Sequence, residues 1–148
     1  DLARKVGISA PPCLRRVRAL EEAGIIKGFT ALLNDKALGF DVITAASGGE
    51  ALGRISLFAV RDGVGEIGII MRPDATGRGL ASKALKLVKE FAFADLGLHR
   101  LAADVDPDNS ASLSLFLRAG FQREGLLRGN CKTHLGVRDS VILGKLRD

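Results

Sequence analysis

Residues 66–81, Glu66-Ile-Gly-Ile-Ile-Met-Arg-Pro-Asp-Ala-Thr-Gly77-Arg-Gly79-Leu-Ala81, hold the types and spacing for binding phosphate. They read as a strand, a glycine-rich turn and the helix that the turn opens. Glycines at 77 and 79 let backbone approach a ligand with no Cβ in the way. The helix that starts there aims unpaired N–H groups and the positive end of its dipole at the same spot. That combination is a phosphate cradle. A plain strand–turn–helix connection, with glycines for the bend, also fits these residues. No Gly-Lys-Ser/Thr follows and no third glycine is present, so neither the P-loop nor the dinucleotide fingerprint applies.

The elements that must position this loop can be traced along the chain. Gly53–Val60 and Gly65–Arg72 read as a hairpin turned at Arg61-Asp62-Gly63, with Asp-Gly as the turn pair. After the loop, Leu80, Ala84, Leu85, Val88, Phe91 and Ala92 form an amphipathic stripe running to Leu96. Gly97 is the expected stop. Leu98–Val105 follows as a mostly buried strand. Asp106-Pro-Asp-Asn109 is a turn and cap cluster opening a helix to Ala119. Strands are expected from Gly120-Phe121 to about Arg128 and over Val137–Leu146. The result is an α+β core, a mixed sheet with two helices packed on it.

Upstream, residues 1–24 read as two short helices. Gly7 ends the first. Ser9 caps the second, and Pro11 and Pro12 stand in its first turn. Leu14, Val17 and Leu20 make its apolar stripe, and Gly24 ends it. Arg15, Arg16 and Arg18 lie off that stripe. They suit either phosphates and base edges in a major groove or a solvated face paired with Glu21 and Glu22. Residues 45–53 are small and flexible, and the junction between two modules is placed there.

Composition bounds the rest. The chain has 148 residues, 47% hydrophobic and 26% charged, as expected for one ordinary domain or two small ones. No apolar run approaches the roughly 20 residues of a membrane span, so no membrane partner is expected. No signal-peptide core opens the chain, and the cytoplasm is the expected compartment. Cys13 and Cys131 are too few and too far apart for a disulfide framework or a zinc site, and no metal is expected. A net charge of +5 permits phosphate or nucleic-acid ligands.

Thr76-Gly-Arg-Gly-Leu-Ala81 resembles the acyl-CoA pyrophosphate loop of the GNAT acetyltransferase superfamily, Gln/Arg-x-x-Gly-x-Gly/Ala. Gly79 and Ala81 match its last two positions, and Thr76 departs from the first. Leu98–Ser112 and Arg118-Ala-Gly120-Phe121-Gln-Arg-Glu-Gly125 look like the second half of the same signature. The match is closest to the branch that acetylates N-termini of ribosomal proteins, and it covers about residues 52–148.

The resemblance implies acetyl-CoA as co-substrate and an amine acceptor, a protein N-terminus or a small molecule. Backbone around Gly77, Arg78, Gly79, Leu80 and Ala81 would hold the pyrophosphate, with Arg78 adding a charge-assisted contact. A backbone N–H near Ile70, Met71 or Arg72 would polarise the acyl carbonyl. Asn109 would help hold the pantetheine arm. Most branches place a tyrosine as general acid, but this chain has none. Ser112 is then the expected donor to the leaving thiolate. N-cap duty for Asn109 and an ordinary helical serine at 112 are the competing readings. Glu66 is the candidate general base through a water, against a strand-end surface role. His99 and His134 are alternatives.

Residues 1–44 look like the Lrp/AsnC regulators, with a helix-turn-helix, wing and connecting strand. Residues 12–23 would be the recognition helix carrying Arg15, Arg16 and Arg18, and Ile25–Leu33 the wing strand. That family's first helix would lie before Asp1, and its ligand-binding and oligomerisation domain has no counterpart here. The acetyltransferase part is then expected to be short of the family's opening strand and helices, since the hairpin follows the junction almost at once.

The expected organisation is residues 1–44 as a partial winged helix-turn-helix, 45–52 as linker and 53–148 as an acetyl-CoA-binding domain. The fold class is a truncated GNAT-like mixed sheet flanked by helices, with the small N-terminal module before it. Three functional readings stand: an N-acetyltransferase fused to a DNA-binding module, a DNA-binding regulator with a non-catalytic acyl-CoA domain, or a chimera with neither activity. A homodimer is expected, because the hairpin at Gly53–Arg72 would leave an open edge.

Overall fold

The computed structural model describes residues 29–34, 37–45 and 51–148. The helix-turn-helix expected over residues 1–24, with Arg15, Arg16 and Arg18, lies outside them, as does most of the expected linker. Seven strands form one sheet: β1 (Phe29–Asn34), β2 (Ala37–Ala45), β3 (Ala51–Arg61), β4 (Val64–Met71), β5 (Arg100–Val105), β6 (Gln122–Thr133) and β7 (Gly136–Leu146). Their spatial order is β1-β2-β3-β4-β5-β7-β6. Every neighbouring pair is antiparallel except β4 with β5. A parallel pair cannot be joined by a tight turn, so the chain crosses over through a helix, α1 (Leu80–Glu90).

The β3–β4 turn is the Asp-Gly turn expected. Asp62 (φ 51°) and Gly63 (φ 76°) both take positive φ, the geometry that follows the right-handed twist of the strands. The open edge expected for this hairpin is not there. β3 is covered by β2 and β4 by β5, so the edges of the described sheet are β1 and β6. The residues read as a wing and connecting strand enter the same sheet: Phe40 pairs with Leu57 and Val42 with Ile55.

Strand alternation puts Ile55, Leu57, Ile67, Leu101, Ala103, Val105, Val141 and Leu143 on one face, all buried. Leu85, Val88, Phe91 and Ala92 of α1 and Leu115 and Phe116 of α2 (Ser110–Arg118) join them in one core. The other face of the same strands carries Arg54, Phe58, Glu66, Ile70, Arg100 and Asp104, which are exposed or half-buried.

Both helices end for visible reasons. α1 stops at Glu90, short of Leu96, and the chain widens into a π-turn over Phe91–Asp95. There the Leu96 N–H donates to the Phe91 carbonyl at 3.1 Å, and Gly97 at φ 68° turns the chain away. At the end of α2, Gly120 takes φ 90° and the Phe121 N–H donates back to the Phe116 carbonyl at 3.1 Å. The two rings then meet edge to face, 5.1 Å between centroids. Among the described residues no helix is long and apolar enough to cross a membrane.

Candidate active site

β4 and β5 pair only at Val64–Glu66 with Arg100–Ala102. Beyond Glu66 the two strands part. The Arg72 N–H donates to the Leu52 carbonyl at 2.8 Å, which fixes the direction of the amides from Glu66 to Met71, where the register with β3 is unbroken. Even-numbered residues bond to β3, so the N–H groups of Ile69 and Met71 face the gap toward β5. This corrects the expectation for Arg72: its amide is spent on β3, and it does not line the cavity described next.

That cavity, of about 620 Å³, opens from the gap. Ile69 and Met71 form its strand wall, Ala75–Ser82 its loop wall, and Asn109–Ser112, Ser114, Leu115 and Arg118 of α2 the third. Gly79 is the N-cap of α1 at φ 73°, and Gly77 stands at φ 74°. No side chain caps α1, and no acidic residue stands in its first turn. The first helical bond is Lys83 N–H to Gly79 carbonyl, 3.1 Å, so the N–H groups before Lys83 have no helical partner. A Cβ built on Gly77 or Gly79 meets nothing within 4 Å. The glycines therefore do not serve packing. They serve the left-handed turn and leave room for a ligand at an uncapped, positive helix end.

No Asp or Glu lines the cavity. The nearest in sequence, Asp74, is held by Arg72 through hydrogen bonds of 3.0 and 2.6 Å. The Arg72 bond holds its carboxyl below the usual range, against a smaller opposing effect of burial. Thr76 donates its hydroxyl to the Pro73 carbonyl at 2.7 Å and so braces the loop.

The site residues expected from sequence come together in large part. Met71, Gly77, Arg78, Gly79, Leu80, Ala81, Asn109 and Ser112 all line the one cavity. Asn109 is also the N-cap of α2: its Oδ1 accepts the Ser112 N–H at 3.1 Å. The side-chain amide nitrogen is not used in that cap. Ser112 is half-buried, and its hydroxyl makes no hydrogen bond among the described residues.

Glu66 stands apart. It is paired across β3 with Phe58 and across β5 with Ala102, where the gap begins, and it is on the sheet face opposite the helices. His99 packs against the hairpin turn, its N–H donating to the Gly63 carbonyl at 2.8 Å, and His134 is exposed in the β6–β7 turn. Neither lines the cavity. Ile69 and Arg118 were not singled out from sequence. Parity with Met71 on the strand marks Ile69, and the three-residue steps Ser112, Leu115, Arg118 mark one helical face.

Comparison with known proteins agrees with this geometry. The acetyltransferase (GNAT) domain model matches residues 11–122. The Bacillus subtilis (strain 168) protein named "Probable N-acetyltransferase YjcK" is 34% identical over 118 residues, 78% of this chain and 65% of that protein. The N-terminal segment is similar to the leucine-responsive regulatory protein of Rhizobium meliloti (strain 1021), 70% identical over 43 residues, 29% of this chain and 28% of that one. The chain thus spans under a third of one relative's length and just under two thirds of the other's.

Two solved structures share the fold. The ribosomal-protein-S5-alanine acetyltransferase of Vibrio fischeri superposes with TM-score 0.70 at 19% identity, over 93% of this chain and 70% of that one. Mycobacterium smegmatis RimJ, in complex with CoA-disulfide, gives TM-score 0.67 at 25% identity, over 92% and 60%. A mixed sheet parting beside a glycine-opened helix, and a family model covering most of the chain, give one conclusion: the chain belongs to the GNAT acetyltransferase family.

Proposed function

We propose that the chain is an acetyl-CoA-dependent N-acetyltransferase whose acceptor is a protein N-terminus or a small amine, fused to a DNA-binding module at residues 1–44. The observation that carries the catalytic half is the pairing of two features in one cavity. Amides of Ile69 and Met71 face the gap between β4 and β5, and the uncapped end of α1 stands beside it.

Acetyl-CoA supplies an activated thioester. The amides at Gly79–Ser82 bind its pyrophosphate, and Arg78 adds charge. The Met71 N–H donates to the acyl carbonyl oxygen, where negative charge grows as the amine nitrogen attacks. The C–N bond forms and the C–S bond breaks. Ser112 Oγ donates to the departing sulfur, and the Asn109 amide nitrogen donates to the arm that leads to it. A thiol with a reference pKa of about 8.5 needs no stronger acid. Glu66, at the mouth of the gap on the far face, takes the amine proton through a water. An α-amine, with a pKa of about 7.7–8.0, gives its proton up more readily than a lysine.

The test is release of CoA thiol with acetyl-CoA and two acceptor panels, N-terminal peptides and polyamines. Transfer to either supports the reading. Binding of acetyl-CoA with no transfer to any amine would overturn catalysis.

A second reading, a DNA-binding regulator whose acyl-CoA domain does not catalyse, is favoured by the 70% identity to a regulator over 43 residues. In both readings Arg15, Arg16 and Arg18 face DNA. Half-site reading requires a pair of modules, so self-association belongs to both. A single monomeric species in sedimentation at high concentration would count against it.

A further inference from the structure

We propose that Arg138 is a positioning residue for acetyl transfer: it clamps the link between β5 and α2 and so sets Asn109 and Ser112 in the cavity. This rests on the acyl-CoA reading given above.

Four residues, 106–109, join the end of β5 to the start of α2. They carry the chain from the sheet to the cavity wall. Their backbone folds on itself. The Asn109 N–H donates to the Asp106 carbonyl at 2.9 Å, and the Ser110 N–H to the Asp108 carbonyl at 3.1 Å. The Asp106 carboxylate also accepts the Asp108 N–H at 2.8 Å. Such a turn fixes its own shape but not where it stands against the sheet. Burial does not fix it either. The buried side chains of α2 are Leu115 and Phe116, a turn beyond Ser112.

Arg138 supplies the missing tie. It stands on β7, whose pairing with β5 ends at Val105 and Val141. Arg138 lies beyond that last pair, level with the link rather than with β5. Its Nε donates to Asp106 Oδ2 and its Nη2 to Asp106 Oδ1, each at 3.0 Å, and Nη2 also donates to Asp108 Oδ2. The planar fork thus holds both carboxylate oxygens of Asp106, a geometry that a lysine does not reproduce. Asn109 comes next in the chain, and its Oδ1 accepts the Ser112 N–H at 3.1 Å. The path from Arg138 to Ser112 is continuous: a fork, a turn and a cap. Arg138, Asp106 and Asp108 do not line the cavity, so the clamp acts through Asn109 and Ser112. A donor displaced by about 1 Å can cost on the order of a hundredfold in rate.

The experiment is steady-state acetyl transfer and calorimetric titration with the full chain, Arg138→Met and Arg138→Lys, with and without Ser112→Ala. Arg138→Met is expected to lower kcat about tenfold and weaken acetyl-CoA binding about threefold, the latter through Asn109. Adenosine 3′-phosphate 5′-diphosphate keeps the nucleotide and pyrophosphate but has no pantetheine arm. Its affinity should stay within about twofold, because the cradle at α1 is untouched. Arg138→Lys should recover part of both losses, since it keeps the charge and loses the fork. Added to Ser112→Ala, Arg138→Met should cost less than about twofold in kcat, because the donor that the clamp aims is gone. An unchanged kcat in Arg138→Met overturns the proposal. So does the full tenfold loss on top of Ser112→Ala, or an equal loss of affinity for both ligands, which would make Arg138 a stabilising residue only. Should Arg138→Met fail to fold, Arg138→Lys and Asp108→Asn carry the same comparisons. Absence of transfer by the unaltered chain overturns the acyltransferase reading, and the proposal with it. Transfer by the unaltered chain with no effect of the variants overturns the proposal alone.

Discussion

Gly79 combines a left-handed backbone, φ 73°, with empty space where a Cβ would stand. The two properties separate on substitution. Gly79→Ala should cost about 1–2 kcal/mol, read as a lower melting temperature, because an alanine pays for that backbone even without a clash. Ser112→Ala should lower kcat about ten- to hundredfold and leave the KM for acetyl-CoA unchanged. A hydrogen bond to a charged group is worth roughly 1.5–3 kcal/mol, and this one strengthens only as the sulfur departs. An equal rise in KM would make Ser112 a binding residue instead. At this scale the loop was legible because its signal is local: glycines two apart, just before an apolar stripe. The amide of Arg72 was not. Whether it faces the gap or β3 depends on the register with Leu52, twenty positions upstream, and no local spacing encodes that register.

α2 holds Asn109, Ser112 and Arg118 on one wall, and its buried face anchors that wall. Phe116 is 2% exposed and meets Phe121 edge to face. Phe116→Ala should cost about 3–5 kcal/mol in chemical denaturation. A loss under 1 kcal/mol would mean that α2 is not held by this pair. Arg100 of β5 bonds Glu124 of β6, and Arg138 of β7 bonds Asp106 just after β5; each arginine holds its carboxylate below the usual range. A depressed carboxyl stabilises the fold above its unfolded pKa and loses that contribution as pH falls through the folded value. Acid unfolding should therefore steepen below about pH 4. Arg100→Ala should lower stability at pH 7 by at most about 1 kcal/mol and leave it unchanged in strong acid, which flattens the acid limb by the same amount. An unchanged acid limb would remove the pair from the account. The helices were legible from their stripes and caps. The end of α1 at Glu90 was not, because the π-turn continues the apolar stripe that marks a helix.

Across the whole molecule, one sheet extends from β1 to β6 and takes in the strands that resemble the regulator's wing and connecting strand. Two sequence resemblances thus meet inside one hydrogen-bonded layer. The order in which strands pair is a long-range property, so the reading of an open edge at the β3–β4 hairpin failed although both strands and their turn were expected. For the N-terminal segment, Arg15→Ala with Arg18→Ala should weaken binding to duplex DNA and shallow its salt dependence by about two phosphate contacts. An unaltered titration would make the segment scaffold. The most direct test of the central claim, that the parted strands and the uncapped helix end form an acyl-CoA site, is calorimetric titration of the full chain and of Gly79→Glu with acetyl-CoA. The prediction is a Kd in the micromolar range for the unaltered chain. No binding is expected once a carboxylate stands in the cradle. Absent binding in the unaltered chain, or equal affinity in the two, would contradict it.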